Sequence, residues 1–240
     1  MKHFDIGLQK TPLVKVSQLE KKEFPRLKSS YPLINNLFGN GWREGSVVQT
    51  TAYRGCGKTT FWLQLLEDFT KEYSTAFISN EESQDQLQEK CIRLNVNNVE
   101  IGYMSSLEDI LEVIRSYKIV VIDSFQGIAC NSEKEAIQKI VSEAKKYNTC
   151  VAIIVHMTKG LREKGGSEIP HLCDQTIKLM EANPESFGME GKTIIIYSDK
   201  NRNGRTGYWI VSCGNSGYDF ENPWDESPVE MIEKNSVKKD

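Results

Sequence analysis

The chain has 240 residues, 39% of them hydrophobic and 26% charged, with a formal net charge of −3. That length suits one large domain with tails and leaves ample material for a core. The near-neutral balance excludes a globally basic nucleic-acid binder, the composition excludes a disordered chain, and no apolar run is long enough to cross a membrane.

Residues 1–30 are mixed and charged, and only Val14-Lys15-Val16-Ser17-Gln18-Leu19 is strand-like. They read as an N-terminal arm packed on its own domain or on a neighbouring subunit, or as a loose terminus. Lys2, His3 and Asp5 break any signal peptide. Tyr31 to Phe38 is a short apolar helix or turn. A glycine loop, Gly39-Asn40-Gly41-Trp42, and a turn at Arg43-Glu44-Gly45 follow.

Val47 and Val48 then open a strand that runs into Ala52-Tyr53-Arg54-Gly55-Cys56-Gly57-Lys58-Thr59-Thr60, with a helix pattern from Phe61. Strand, glycine loop and helix are the order a phosphate cradle needs. Gly55 and Gly57 allow backbone N–H groups to turn inward, and the helix start adds its own free N–H groups and positive dipole end. The candidate nucleotide-binding residues are Arg54, Gly55, Cys56, Gly57, Lys58, Thr59 and Thr60. Lys58 supplies an ammonium for the β- and γ-phosphates, and the Thr59 hydroxyl is a ligand for Mg²⁺. Ala52 stands where the motif has its first glycine, which a negative φ at that residue would permit. The plainer reading is a chance Gly-Lys-Thr in a surface turn.

Helical periodicity continues to Tyr73. Thr75–Ser79 is a short buried strand, with Asn80-Glu81-Glu82-Ser83 at its carboxyl end opening the next helix. Val99 to Met104 is a third strand, and Leu107 to Tyr117 an amphipathic helix. Ile119-Val120-Val121-Ile122-Asp123 is a run that suits a parallel strand covered on both faces. Asp123 falls at its carboxyl end, where ligands bind in open α/β sheets and where an acid can hold the water shell of Mg²⁺. A strand-end turn aspartate is the plainer alternative.

A helix from Glu133 to Tyr147 leads to the strand Thr149–Val155, and then to His156. The stretch after it is glycine-rich and basic, with Lys159, Arg162 and Lys164 diluted by Glu163 and Glu168. Glu168 to Met180 reads as a segment leading back to the sheet. Two final strands, from Lys192 and from Gly207, flank a turn with Lys200, Arg202 and Arg205. The six cysteines, Cys56, Cys91, Cys130, Cys150, Cys173 and Cys213, include no C-x-x-C, and there are only three histidines. Free thiols in a reducing cytoplasm fit better than disulfides or zinc. Alternating strands and helices predict an α/β fold: a mostly parallel twisted sheet, helices on both faces, and an antiparallel C-terminal hairpin.

Six local features in this order carry a family resemblance: LINNLFGNGWREGSVV, RGCGKTTFWLQ, FISNEES, IVVIDSFQ, IIVHMTKG and KNRNG. Together they resemble the RecA-like P-loop ATPase core, most closely the bacterial RadA/Sms branch, with the DnaB-type helicases as near relatives. The resemblance spans roughly residues 12–215, and the chain divides into an N-terminal arm over 1–30, a RecA-like ATPase core over 31–220 and a polar tail over 221–240. The resemblance implies that Glu81 polarises the attacking water, with Glu82 the competing choice or merely a helix-start acid. It implies that Thr59 and Asp123 hold Mg²⁺ and that His156 senses the γ-phosphate. It also implies that Lys200 and Arg202 reach the ATP of a neighbouring subunit; a solvated hairpin tip is the plainer account of those cations.

The implied activity is ATP hydrolysis at subunit interfaces, in a cytoplasmic ring or filament. Lys159, Arg162 and Lys164 would contact single-stranded DNA, and replication or recombination proteins would be further partners. A different class stays open: a nucleotide-dependent assembly or loading module that moves no DNA itself. A small-molecule kinase is a third. Asn203 stands where the RadA/Sms branch has phenylalanine, and the segment between Asp123 and the next helix is short.

Overall fold

The computed structural model describes residues 14–18, 23–53, 55–156, 168–187 and 191–223. In chain order they form β1 (Arg26–Leu27), α1 (Pro32–Leu37), β2 (Trp42–Arg43), β3 (Val47–Ala52), α2 (Lys58–Phe69) and β4 (Thr75–Ser79). Then come α3 (Gln84–Leu94), β5 (Glu100–Tyr103), α4 (Leu107–Ser116), β6 (Ile119–Asp123), α5 (Glu133–Tyr147) and β7 (Cys150–His156). The last elements are α6 (Glu168–Leu172), β8 (Gln175–Ala182), β9 (Thr193–Asn201), β10 (Gly207–Gly214) and β11 (Gly217–Tyr218).

The main sheet runs β11-β10-β9-β8-β3-β7-β6-β4-β5. From β8 to β5 every pairing is parallel; β8–β9, β9–β10 and β10–β11 are antiparallel. The interior strands β6 and β7 are apolar on both faces because helices cover both, whereas β3 also buries Gln49, Thr50 and Thr51. Alternate residues serve alternate layers. Val48, Val121, Ala152 and Ile154 pack with α1, α2 and α3, whereas Val47, Val120, Ile122, Val151 and Ile153 pack with α4 and α5. Each buried valine or isoleucine among them stabilises the fold by roughly 1.5–3 kcal/mol.

The first layer is the more aromatic. Trp42 stacks on Phe38 at a centroid distance of 4.8 Å, and Trp62 lies 5.4 Å from Trp42 and 5.3 Å from Phe61. The buried Trp62 indole donates to the Thr50 hydroxyl at 3.0 Å. The end of the arm closes over this layer. Leu27 is buried, and Ser29 and the Ser30 backbone donate to Asp68 at 2.6 and 2.8 Å. Burial works against ionising Asp68, but the bonds from Lys71, Ser29 and Ser30 outweigh it and hold the carboxyl below its usual range.

Three expectations change. The described part of the expected strand, residues 14–18, is not one: Val16–Gln18 is a single 3-10 turn with Val16 83% exposed, and Leu19 lies outside the described residues. An extended segment needs a partner ladder, and Val16 packs on nothing. The helix after the glycine loop begins at Lys58, not Phe61, because Gly57 adopts the left-handed conformation at its N-cap. The segment leading back to the sheet contains β8, an interior strand between β3 and β9. The expected C-terminal hairpin is β9–β10, and β11 lies outside it at the sheet edge.

At the amino end of the parallel strands the 201–204 turn is locked to the loop after α1. The Arg26 guanidinium donates to the carbonyls of Phe38, Gly41 and Asn203 at 3.3, 3.0 and 2.9 Å. A Cβ on Gly204 would lie 2.4 Å from the Gly39 Cα, so neither backbone can retreat. Gly204→Ala should therefore cost about 1–3 kcal/mol by overpacking. Urea unfolding monitored by tryptophan fluorescence reads this, and an unchanged midpoint would mean that the two loops are not held in contact.

Candidate nucleotide site

Ala52 is the last residue of β3, buried and paired with His156 and Leu179, so its extended backbone needs no glycine. Gly55 and Gly57 have φ of +86° and +76°, which only glycine adopts without strain. Gly57 caps α2 through its carbonyl, which accepts the Phe61 N–H at 2.8 Å, and no side chain caps that helix end. The leading N–H groups of Lys58, Thr59 and Thr60 form an anion-binding helix start. Arg54 lies outside the described residues. Cys56 is a buried, packed residue, and burial pushes its thiol above its ordinary range.

The acids converge on this helix start because three parallel strands end beside it. Thr59 donates its hydroxyl to Asp123 Oδ2 at 2.8 Å. Asp123 is 5% exposed, and burial, reinforced by Glu81 and Glu82, raises its carboxyl above the usual range despite the Thr59 bond. Glu81 accepts from the Ser124 hydroxyl at 2.7 Å and sits 2.8 and 2.9 Å from His156 Nε2. Glu82 is held by the Lys90 ammonium eight residues on. Of the two neighbouring acids, then, Glu81 faces Asp123.

The Asn80 amide brackets Ser124, donating to its carbonyl at 2.7 Å and accepting from its N–H at 3.0 Å. The donor set of the Thr59 hydroxyl, the buried Asp123 carboxylate and the exposed Glu81 carboxylate fits a hard dication such as Mg²⁺.

Comparison with known proteins places this arrangement. The chain is 30% identical over 209 residues to the DNA repair protein RadA of Rickettsia felis, covering 79% of the chain and 46% of that protein. To RadA of Pseudomonas aeruginosa it is 26% identical over 210 residues, covering 82% of the chain and 45% of that protein. The chain thus spans about half the length of these curated relatives. A KaiC-like protein from Pyrococcus horikoshii superposes with a TM-score of 0.66 at 20% identity, over 82% of this chain and 98% of that one. The flagellar accessory protein FlaH of Methanocaldococcus jannaschii superposes at 0.67 with 14% identity and the same coverage. No family model matches the chain.

The chain has a RecA-like P-loop core near RadA. The fold class expected from the motif order is therefore the one observed.

Not every residue singled out in the sequence joins this RecA-like site. Lys200 pairs with Thr176 and Asn201 with Gln175, at the amino end of the parallel strands and away from the glycine loop. The Lys200 ammonium donates to the carbonyls of Pro170, His171 and Cys173 at 2.5, 3.2 and 2.7 Å. Arg202 donates to the His171 carbonyl at 2.9 Å and lies 3.4 Å from Asp174. Burial, then Arg202, lowers the Lys200 ammonium from its ordinary range. Neither cation reaches the loop of its own chain. Lys159, Arg162 and Lys164 lie outside the described residues.

Other residues of the RecA-like core reach the loop without having been anticipated. Lys192 donates to the Gly55 carbonyl at 2.5 Å and pairs with Glu181 at 3.2 Å. The Tyr218 hydroxyl donates to the Cys56 carbonyl, and its N–H to Gln64 Oε1 at 2.7 Å. These contacts join the start of β9 and the last strand to the loop across more than a hundred residues of sequence, and no local pattern announces them.

Proposed function

We propose that this chain is an ATP hydrolase that acts as a self-associating core on single-stranded DNA. One observation carries the reading: Thr59, Asp123, Glu81 and His156 meet at the mouth of the glycine loop. The loop N–H groups and Lys58 bind the phosphates, and Thr59 and Asp123 hold Mg²⁺. When bound, that ion neutralises phosphate charge. Glu81 orients the attacking water and takes up its proton, and Ser124 fixes the carboxylate in place. His156, bonded to Glu81, reports the state of the γ-phosphate to the residues after β7.

Lys200 and Arg202 act on a neighbouring subunit's nucleotide, because their place at the far end of the sheet removes them from their own. Acting in trans requires Lys200 to leave the three carbonyls it now caps. Lys159, Arg162 and Lys164 track the DNA backbone, and the printed name of the relatives, a DNA repair protein, favours such a partner. Among the described residues no helix is long and apolar enough to cross a membrane; we assign the protein to the cytoplasm.

A second reading, an assembly or loading module, draws support from the segment after Asp123. It folds down through Phe125 and Ile128, both buried, and does not project as a loop.

ATP hydrolysis measured with and without single-stranded DNA, in wild type and Lys58→Ala, separates the two. Stimulation should vanish in Lys58→Ala. Three phosphate contacts predict a log–log salt slope of about −2, so a fourfold rise in salt weakens DNA binding roughly 15- to 20-fold. Hydrolysis indifferent to DNA favours the module.

A further inference from the structure

Glu81, Asp123 and His156 each offer one ligand atom to a shared space, and those atoms lie within 4.8 Å of one another. Among the described residues theirs is the only such group. Nitrogen and oxygen donors bind a dication at about 2.0–2.2 Å. Neighbouring donors around it then stand roughly 3–4 Å apart, so this set closes onto an ion with small side-chain adjustments.

The donors are also oriented from behind, as in metal sites, by groups that fix their direction. Ser124 donates to Glu81 and Thr59 donates to Asp123, while the Gln126 side-chain oxygen accepts the His156 backbone N–H at 3.3 Å and so holds the main chain that carries the imidazole. Lys90 is paired with Glu82, and Lys118 with Glu44.

The imidazole decides the class of ion. Mg²⁺ prefers an all-oxygen shell, whereas imidazole suits zinc and its transition-metal neighbours, and carboxylates accept either. We propose that Glu81, Asp123 and His156 form a binding site for a borderline divalent metal ion of the Zn²⁺ or Co²⁺ class, one that fills without nucleotide. Binding replaces the hydrogen bond between His156 Nε2 and Glu81 and turns both groups into ligands. On the reading of Glu81 given above, such an ion inhibits hydrolysis; its binding does not depend on that reading.

The test uses the full chain, free of nucleotide, titrated with Co²⁺ and followed by visible d–d absorption and calorimetry. One ion per chain is expected, without the thiolate-to-metal band that binding to cysteine would give. His156→Gln and Glu81→Gln should each weaken Co²⁺ binding by at least about tenfold. Lys58→Ala should lose nucleotide and keep cobalt, so the metal site and the ATPase reading fail separately. Equal cobalt binding by wild type and whichever of the two variants folds overturns the proposal. So does a thiolate spectrum, or the lack of saturable binding in wild type.

Discussion

Glu81→Gln should lower ATP turnover by roughly 10²–10⁴-fold while nucleotide binding survives. The substitution keeps the side chain's size and its capacity to accept from the Ser124 hydroxyl. It removes the charge that takes up a proton from water. The neighbouring acid Glu82 is bonded to Lys90 and makes no contact with Ser124 or His156 of the kind Glu81 makes. Glu82→Gln should therefore leave turnover within about threefold of wild type, since a partly exposed ion pair contributes little. Single-turnover hydrolysis alongside binding of a fluorescent ATP analogue reads both quantities. Turnover in Glu81→Gln close to wild type would remove Glu81 from the chemistry and leave the Asp123 neighbourhood to be reassigned. A parallel loss of nucleotide binding would mean that the carboxylate shapes the loop and not the reaction.

Trp62→Ala should destabilise the fold by about 3–5 kcal/mol, the range for emptying a large aromatic site in a packed core. Trp62 is fully buried on α2, touches Phe38, Trp42 and Phe61, and bonds to Thr50. For a domain of this size that cost corresponds to a fall in melting temperature of roughly 6–20 °C. Trp62→Phe keeps much of the packing but strips the Thr50 hydroxyl of its donor, at about 1–3 kcal/mol. The residue sits one turn after Lys58 and Thr59, so a cavity there also loosens the helix start that cradles phosphate. Differential scanning calorimetry of both variants reads the ranking. A loss in Trp62→Ala below that in Trp62→Phe would contradict the packing account.

Much of the site is legible in the sequence because its parts are local. Gly55, Gly57, Lys58 and Thr59 fall within five residues. Asp123 and His156 each end a run of β-branched residues whose burial is written into its composition. A parallel sheet brings the carboxyl ends of such strands to one edge, so naming the strands names the neighbourhood. The α5 helix is equally plain over Glu133–Tyr147, and in the structure Ser132 and Asn148 cap its two ends.

The rest is long-range. Glu81 and Glu82 have the same chemistry, and only the placement of Lys90 on α3 holds one of them. β8 carries Gln175, Thr176 and Lys178 among its apolar residues, so its pattern does not read as an interior strand until β3 and β9 flank it. Lys200 and Arg202 look like a free hairpin tip in one dimension, yet in three they cap the carbonyls around α6. Lys192 and Tyr218 meet the glycine loop only because β9, β10 and β11 fold back beside it. By itself the sequence determined the class of fold, the loop and the strand-end acids, because backbone periodicity and turn chemistry act over a few residues. The tertiary structure alone decided which acid faces the site, which cations are already satisfied and what braces the loop, because hydrogen bonds form with whatever packing brings near.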